Sequence, residues 1–308
     1  MASVTLAEAS KLGLNDLQAG VVENIVTVNP FYQVLPFQEI YGNALGYNRE
    51  NALGDVQVLG IDGTITAKAA ATYTAKTAGL TTIIGDAEVN GLIVAQGIGG
   101  NAGNDVVAQQ IASKAKSVGR EFQRQLILGD TGNANEFDGL ARLVAAGQKV
   151  DANANALTLT MMDELLAAVT SKNGQVDYIT MHSKGINKLK ALLRALGGAA
   201  IDYVQMGMGV DGRPNMVLMY DGVPVFRNDY IPTNGGAGTN ESAIYAGVFD
   251  DGTGVGLTGL TAANGAGIQV QAVGAAEAKD SEIWRVKFYT GLVNYSDLGL
   301  AAITEVTF

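Results

Sequence analysis

The only histidine of the chain, His182, is followed by Ser183 where an apolar strand pattern gives way to a helical one. A serine at such a junction can act as a nucleophile if a histidine accepts its proton. The segment Met181–Gly185 lacks the first glycine of the G-x-S-x-G pattern, and a histidine adjacent to the serine is poorly placed as its base. Capping of the next helix by Ser183 is therefore the favoured interpretation.

A glycine-rich segment, residues 97–102, has the spacing G-x-G-x-x-A and follows the apolar run Leu92–Val94. In dinucleotide-binding folds these glycines let a pyrophosphate reach the N-terminus of the next helix. The acidic residue expected at the end of a second strand about 20 positions later is missing, because Glu121 falls within the same predicted helix. We interpret the segment as a loop and expect no nucleotide cofactor.

Two acidic loops, Asp130–Asp138 and Asp250–Gly252, contain oxygen ligands that could suit calcium. Neither has the spacing of an EF-hand, so turn formation by the Asp side chains is the favoured interpretation. The chain contains no cysteine, which excludes disulfides, thiolate metal sites and a cysteine nucleophile. We therefore predict no catalytic residue, no metal site and no cofactor, and we expect that the protein is not an enzyme.

The clearest element is a helix over residues 104–128. Its apolar residues recur every three or four positions and form one face: Val107, Ile111, Ala115, Val118, Phe122 and Leu126. Asn104 is placed to cap the helix and Gly129 to end it. About 25 residues at 1.5 Å each give a length of roughly 37 Å. A helix of this length predicts an elongated, flat subunit.

The region before this helix is predicted to project from the subunit. Residues 1–40 form a proline-broken arm, whose apolar residues need burial against the body of the chain or against a neighbour. Residues 41–96 are strand-like, with alternating apolar residues in Val56–Ile61 and in Leu80–Val94. We interpret them as two long strands with a protruding tip.

The rest of the chain mixes helices and strands without regular alternation, which indicates an α+β fold. Thr160 is predicted to cap a helix that runs to Lys172, and Asp221-Gly222 predicts a hairpin. The glycines between Met206 and Pro214 predict a mobile loop at the tip of a domain. The other predicted elements are a helix at Ser183–Leu196 and strands at Val176–Met181, Met216–Tyr220, Val223–Arg227, Ala243–Phe249, Ile268–Val273 and Ile283–Tyr295.

The composition favours a protein that contacts other proteins. Lys and Arg number 20 and Asp and Glu 30, and the net charge of −10 argues against tight binding to nucleic acid or to an anionic membrane. No signal-peptide pattern is visible, and no apolar stretch reaches the ~18 residues of a membrane helix. We expect a soluble protein made in the cytoplasm. Its many glycines and few charges fit either burial in an assembly or a strand-rich structure with many turns.

Three segments carry a resemblance to a known family: Gly222-Val223-Pro224-Val225, Gly247-Val248-Phe249-Asp250 and Trp284–Leu292. The chain resembles the major capsid proteins of tailed bacteriophages. Their fold, the Johnson fold, is shared with encapsulins and with the floor of the herpesvirus capsid. The family has a G-[IV]-P-V strand, a turn that ends in proline, a strand that ends in G-x-[FY]-[DS], and a long final strand. The order of elements agrees over nearly the whole chain.

The resemblance implies a structural subunit that self-assembles into pentamers and hexamers, as an icosahedral shell around double-stranded DNA. The virion would be assembled in the host cytoplasm, with scaffolding, portal and decoration proteins as further partners, loose contact with the DNA and none with a membrane. The alternatives are an encapsulin shell that holds an enzyme cargo, and a monomeric glycine-rich enzyme or binding protein.

The same resemblance divides the chain into an arm (1–40), an extended loop (41–96), a peripheral domain (97–157 and 276–308) and an axial domain (158–275). The arm would strap an adjacent subunit. Eight residues are predicted at subunit interfaces: Phe31, Tyr32, Lys68, Tyr73, Lys76, Met206, Met208 and Arg213.

Overall fold

Three β-sheets organise the molecule in a computed structural model that describes residues 31–95, 106–172, 174–197, 202–208, 214–234 and 241–308. The helices of this part are α1 Phe31–Val34, α2 Gly91–Ala95, α3 Val106–Leu128, α4 Leu140–Leu143, α5 Leu159–Thr170 and α6 Ser183–Ala195, with short 3-10 turns at Ala146–Gln148 and Asp297–Gly299. The strands are β1 Phe37–Ile40, β2 Ala44–Ala52, β3 Thr72–Gly79, β4 Thr81–Asn90, β5 Lys149–Asp151, β6 Tyr178–Met181, β7 Asp202–Met208, β8 Pro214–Tyr220, β9 Val223–Arg227, β10 Glu241–Gly247, β11 Leu257–Ala262, β12 Ile268–Ala275, β13 Ser281–Asn294 and β14 Leu300–Thr307.

The largest sheet has seven strands in the order β5-β14-β10-β6-β9-β8-β7. Successive residues of a strand point to opposite faces, so Tyr178 and Ile179 of β6 enter different cores. Helices α5 and α6 cover the face of Ile179, where Leu165 and Leu189 are fully buried. Two helices on one face of a mixed sheet confirm the predicted α+β class.

The second sheet has five strands and is built on the long strand β13. Strand β4 pairs with β13 antiparallel from Thr81↔Thr290 to Asn90↔Ser281. Strands β11 and β12 also pair with β13, and β1 adds to β11 in parallel. Helix α3 packs against β4 and β13, with the Phe122 and Phe288 ring centroids 5.3 Å apart.

The predicted long helix is present as α3, and its buried residues include Val118, Phe122 and Leu126, as the apolar spacing requires. The predicted start at Asn104 lies outside the described residues. Gly129 follows the last residue of α3, and a Cβ built on it would lie 2.2 Å from the carbonyl oxygen of Phe137. The glycine is needed there because two backbone segments meet, and not for a left-handed turn.

The third sheet is the two-stranded hairpin β2–β3, which pairs from Ala44↔Gly79 to Ala52↔Thr72. Two details of the predicted extended loop are wrong. Val56–Ile61 forms no strand, because it belongs to the irregular connection 53–71 between β2 and β3. The strand predicted over Leu80–Val94 ends at Asn90, pairs with β13 instead of with the hairpin, and continues as α2.

Two predicted helix caps are also wrong. Helix α5 begins earlier than expected, and the hydroxyl of Thr158, not Thr160, accepts a hydrogen bond from the Met161 amide. Ser183 is the first residue of α6, so the cap before it is His182. In both helices the residue with extended backbone immediately before the first helical residue takes the capping position.

The hairpin predicted at Asp221-Gly222 joins β8 to β9, and both turn residues have positive φ, 48° and 76°, as a type I′ turn demands. The mobile loop predicted from Met206 to Pro214 is not what the described residues form. Met206 and Met208 lie in β7, which pairs with β8, and Pro214 begins β8. Residues 209–213 lie outside the description.

The division of the strands between the two larger sheets does not follow the predicted domain boundaries. Residues 257–275, placed in the axial domain by the resemblance, form β11 and β12 of the five-stranded sheet. Residues 300–307, placed in the peripheral domain, form β14 inside the seven-stranded sheet.

None of the helices in the described ranges combines the length and the apolarity needed to cross a membrane.

Candidate assembly surfaces

The extended hairpin is fixed to the body of the subunit by Arg49 of β2. Its Nε and Nη2 atoms donate to the carbonyl oxygens of Tyr295 and Asn294, at 2.7 and 2.8 Å. Its Nη1 atom lies 2.6 Å from Oδ1 of Asp297. The planar guanidinium therefore holds three oxygens in one geometry at the end of β13, and only 14% of the side chain is exposed.

Tyr47 supports the same junction two residues earlier on β2. Its ring packs edge-to-face on Tyr295 with centroids 5.2 Å apart, and its hydroxyl donates to the carbonyl oxygen of Asn294 at 3.3 Å. Burial raises the pKa of Tyr47, and the nearby Asp297 carboxylate acts in the same direction. The phenol is therefore a hydrogen-bond donor at neutral pH.

The connection between β2 and β3, residues 53–71, forms the tip of the hairpin. One side chain organises this tip: Oε1 of Gln57 accepts from the Thr66 amide at 2.8 Å, from the Thr66 hydroxyl at 3.0 Å and from the Ala67 amide at 3.1 Å. The Asp55 amide also donates to the carbonyl oxygen of Ala69 at 3.0 Å. The tip is thus shaped by polar contacts across its two branches.

The tip presents apolar side chains to solvent. Val56 and Val58 are 93% and 98% exposed, and Leu53, Ile61 and Ile65 are also exposed. None of these five belongs to a hydrophobic cluster of buried residues in the described part of the chain. Several apolar side chains held outward on one segment make the tip a candidate surface for contact with another protein.

Of the predicted interface residues on the extended loop, Lys68 lies in the tip and is exposed. Tyr73 lies on β3 opposite Glu50, near the tip, and is exposed. Lys76 is paired with Tyr47, so it lies beside the base of the hairpin and not at its tip. The more exposed apolar residues at 53–65 were not singled out from the sequence, although the alternating run Val56–Ile61 contained three of them.

Phe31 was predicted at a subunit interface, and the structure contradicts this. It has no exposed surface, and its ring lies 5.1 Å from that of Tyr178 and 5.6 Å from that of Phe226, edge-to-face in both cases. The following strand β1 pairs with β11, so residues 31–40 strap their own subunit. Tyr32 lies in α1, and its side chain and residues 1–30 lie outside the description.

Two of the three remaining predicted interface residues, Met206 and Met208, lie on β7, the last strand in the order of the seven-stranded sheet. Met206 is half-buried and packs against the core that contains Phe31. Met208 ends strand β7, and its side chain is not described. Arg213 lies outside the described residues. Contact of these residues with a neighbour stays a prediction.

The His182–Ser183 pair is occupied with structural contacts. The Nδ1 atom of His182 accepts a hydrogen bond from the Lys184 amide at 3.1 Å, and the Ser183 amide donates to Oδ1 of Asp229 at 3.2 Å. Arg227 donates to the other oxygen of Asp229 at 2.6 Å. Burial lowers the pKa of His182, so the neutral imidazole that caps α6 is favoured.

The two acidic loops are closed by their own hydrogen bonds. Oδ1 of Asp130 accepts from the Gly132 amide, and Oδ1 of Asp250 accepts from the Gly254 amide. Glu136 pairs with Arg124 at 2.5 Å, and the hydrogen bonds that the Arg124 guanidinium donates to Glu121 and Glu136 raise its pKa further. Within the described residues, no group of three or more His, Asp or Glu side chains is arranged to hold a metal ion.

No family model and no curated protein sequence matches the chain. Solved structures do match. A chain of the holo-SrpI encapsulin complex from Synechococcus elongatus PCC 7942 has a TM-score of 0.72 at 18% identity, over 99% of this chain and 97% of that one. A chain of the cyanophage A-1(L) capsid has 0.70 at 14% identity, over 99% and 100%. The chain has the fold of capsid and encapsulin subunits.

A third match is the capsid of a native GTA particle computed with C5 symmetry, with a TM-score of 0.64 at 14% identity, over 99% of this chain and 100% of that one. The Johnson fold suggested by the order of elements is therefore confirmed. At these identities the likeness shows the fold, and the roles of the tip, the arm and β7 in contacts between Johnson-fold subunits stay predictions.

Proposed function

We propose that the protein is the major capsid protein of a tailed bacteriophage. In this proposal, copies assemble into pentamers and hexamers, and these close an icosahedral shell around packaged double-stranded DNA. Scaffolding, portal and decoration proteins are the further partners, and the particle is assembled in the host cytoplasm.

One observation carries this proposal: the apolar tip is held away from the body by a rigid junction. The Arg49 contacts keep the hairpin extended, and the Gln57 contacts present Val56, Val58 and Ile61 to solvent. A monomer gains nothing from such a segment, because exposed apolar area costs about 25 cal/mol per Å² relative to burial. A shell subunit gains a contact with the next copy.

The proposed role is structural and not catalytic. The Nδ1 atom of His182 already accepts a hydrogen bond, and the neighbouring Ser183 amide is tied to Asp229. A net charge of −10 suits a shell that touches its DNA only loosely, because a phosphate-binding groove needs Lys and Arg side chains.

An encapsulin is the second candidate. The encapsulin chain from Synechococcus elongatus matches with a TM-score of 0.72 over 97% of its length. This structural match is as good as the match to the cyanophage capsid. The two hypotheses differ in what the shell encloses, which is a genome in one case and an enzyme in the other.

The experiment is negative-stain microscopy of particles purified from cells that produce the protein, after digestion with nuclease. Shells that contain nuclease-resistant DNA would support the capsid hypothesis. Shells with a second protein in stoichiometric amounts would support the encapsulin hypothesis instead. A monodisperse monomer without particles would overturn both.

A matched pair of tip variants tests the observation itself. Val58→Asp combined with Ile61→Asp should abolish particles and leave the circular dichroism spectrum unchanged, because both side chains lie outside the buried core. Val58→Leu combined with Ile61→Leu keeps the surface apolar and should still assemble. Normal particles from the aspartate variant would remove the tip from the proposal.

A further inference from the structure

Helix α6 carries only positive charge. Its charged residues are Lys184, Lys188, Lys190 and Arg194, and it contains no carboxylate. The chain as a whole has a net charge of −10, so taking away these four charges leaves −14 for the rest. A helix with this composition in an acidic protein is a distinct patch.

The cations lie on the outer side and on the two flanks of α6, where Lys184 and Arg194 are exposed and Lys188 and Lys190 are partly exposed. Gly185, Leu189 and Leu193 are buried against the sheet. At 100° per residue, Lys184 and Lys188 form one row, and Lys190 and Arg194 form a second row across a strip of small residues. In the described part of the chain, none of the four lies within ion-pair distance of a carboxylate; Lys190 only covers the ring of Tyr203, at 5.7 Å.

An acidic cleft lies beside this helix, next to Leu193. It is lined by three aspartates, Asp163, Asp202 and Asp221, together with Tyr220. The Tyr220 hydroxyl donates to Oδ1 of Asp163 at 2.6 Å, and burial together with this carboxylate raises the pKa of the phenol. Helix α5, which supplies Asp163, has Asp163 and Glu164 as its only charged residues, and both are exposed.

Helix α5 supplies Asp163 and helix α6 supplies Leu193 to the lining of the cleft, and both helices cover the same face of the seven-stranded sheet. We propose that, in the proposed shell, the basic face of α6 binds the acidic cleft of a second copy of this chain. The inference rests on the proposed function and names a contact within it.

Charge complementarity selects the occupant. A DNA phosphate backbone that approached α6 would be repelled by the aspartates beside it, whereas a second copy brings cations to the cleft and carboxylates to the helix. A patch and its complement on one chain also permit a head-to-tail contact that closes into a ring. Each exposed ion pair contributes little alone, but the contact is repeated at every subunit of a ring.

The test is a charge exchange. Lys188→Glu with Arg194→Glu reduces the charge of the helix from +4 to 0, and Glu164→Lys with Asp202→Lys reduces the summed charge of Asp163, Glu164, Asp202 and Asp221 from −4 to 0. Each double variant should lower the assembled fraction at 50 mM NaCl by about tenfold or more, because the net attraction across the contact is lost and the two substituted residues face groups of like charge. All four substitutions in one chain place two new carboxylates on the helix opposite two new ammonium groups beside the cleft, so attraction between the substituted positions should restore assembly. The readout is sedimentation velocity at 50 and 500 mM NaCl.

The control is Lys149→Glu with Lys279→Glu, which makes the same change of net charge at two exposed lysines outside α6. It should assemble like the wild type. If DNA were the partner instead, Glu164→Lys with Asp202→Lys would not impair assembly and the fourfold variant would not recover, and this result would overturn the inference. Wild-type shells with unaffected double variants would refute only the inference. A wild type that stays monomeric at both salt concentrations would refute the inference and the proposed function together.

Discussion

The guanidinium of Arg49 is joined to the backbone of Tyr295, through Nε and the carbonyl oxygen at 2.7 Å, although 246 positions separate the two residues in the chain. The contact ties the extended hairpin to the end of β13. The contact helps to set the direction of the projecting segment, together with Leu45, Tyr47 and Ala78, which pack against the body beside it.

The first prediction concerns this junction. Arg49→Ala should let the hairpin move, because two charge-assisted hydrogen bonds of about 1.5–3 kcal/mol each and the ion pair with Asp297 are lost. Amide hydrogen exchange in β2 and β3 should rise, and particles should become heterogeneous in size. Arg49→Lys retains the charge but not the planar fork, so its effect should be intermediate. Unchanged exchange in the alanine variant would show that the hairpin is positioned by other contacts.

The second prediction concerns the tip. Gln57→Ala removes the acceptor for Thr66 and Ala67, so exchange in residues 53–71 should rise by about tenfold, the equivalent of roughly one hydrogen bond. The free energy of unfolding of the whole subunit should change by less than ~0.5 kcal/mol, because the tip is outside the core. Gln57→Glu keeps an acceptor oxygen but loses the donor to the Thr64 carbonyl oxygen, so its exchange should lie between that of the wild type and that of the alanine variant. A large loss of global stability in the alanine variant would contradict the independence of the tip.

The third prediction separates a core residue from an interface residue. Phe31→Ala should lower the free energy of unfolding by about 3–5 kcal/mol in urea, because a fully buried aromatic ring leaves a cavity. Phe37→Ala is the comparison, and it should cost less, since Phe37 is 43% exposed. Full stability of the Phe31 variant together with failed assembly would return Phe31 to the interface.

The fourth prediction is a dependence of stability on pH through His182. Burial lowers the pKa of this histidine below its usual 6.5, so the unfolded chain binds the proton more readily than the folded one. Stability should therefore fall as the pH drops through 6.5 and below, until the folded pKa is passed. Hydrogen bonds from Arg285 lower the pKa of Asp86, and the contribution of the ionised Asp86 to the stability of the fold is lost only at more acidic pH.

Urea unfolding at pH 7.5 and 5.5 measures this effect. His182→Asn keeps a side-chain oxygen that can cap α6 and removes the titration, so its pH dependence should be flatter than that of the wild type. An equal slope in both proteins would assign the dependence to other groups.

The parts of the fold that depend on local pattern could be predicted from the sequence. The apolar spacing from Val107 to Leu126 correctly predicted α3, and Asp221-Gly222 correctly predicted the β8–β9 hairpin. Both depend on residues close together in the chain, whose backbone preferences are not overridden by distant partners. The order of such elements was enough for the fold.

The parts that depend on distant partners could not be predicted. Strand β4 pairs with β13, about 200 residues away, and the residues of β4 alone do not indicate which strand it pairs with. The burial of Phe31 among Tyr178, Phe226 and Phe249 comes from three separate segments. Exposed apolar residues at the tip resemble a strand in sequence, because alternation alone does not distinguish a half-buried strand from a surface loop.

The position of β13 determines how a pulling force on the hairpin would pass through the subunit. A neighbour that pulls on the hairpin loads Tyr295 through Arg49, and this load runs along β13 against the ten-residue antiparallel ladder that joins it to β4. A ladder pulled along its strands must break many hydrogen bonds at once, whereas one pulled from its end opens bond by bond. Beyond Tyr295, the short turn Asp297–Gly299 leads directly into β14 of the seven-stranded sheet. Tension on the tip of one copy is therefore carried along a stiff line through the subunit.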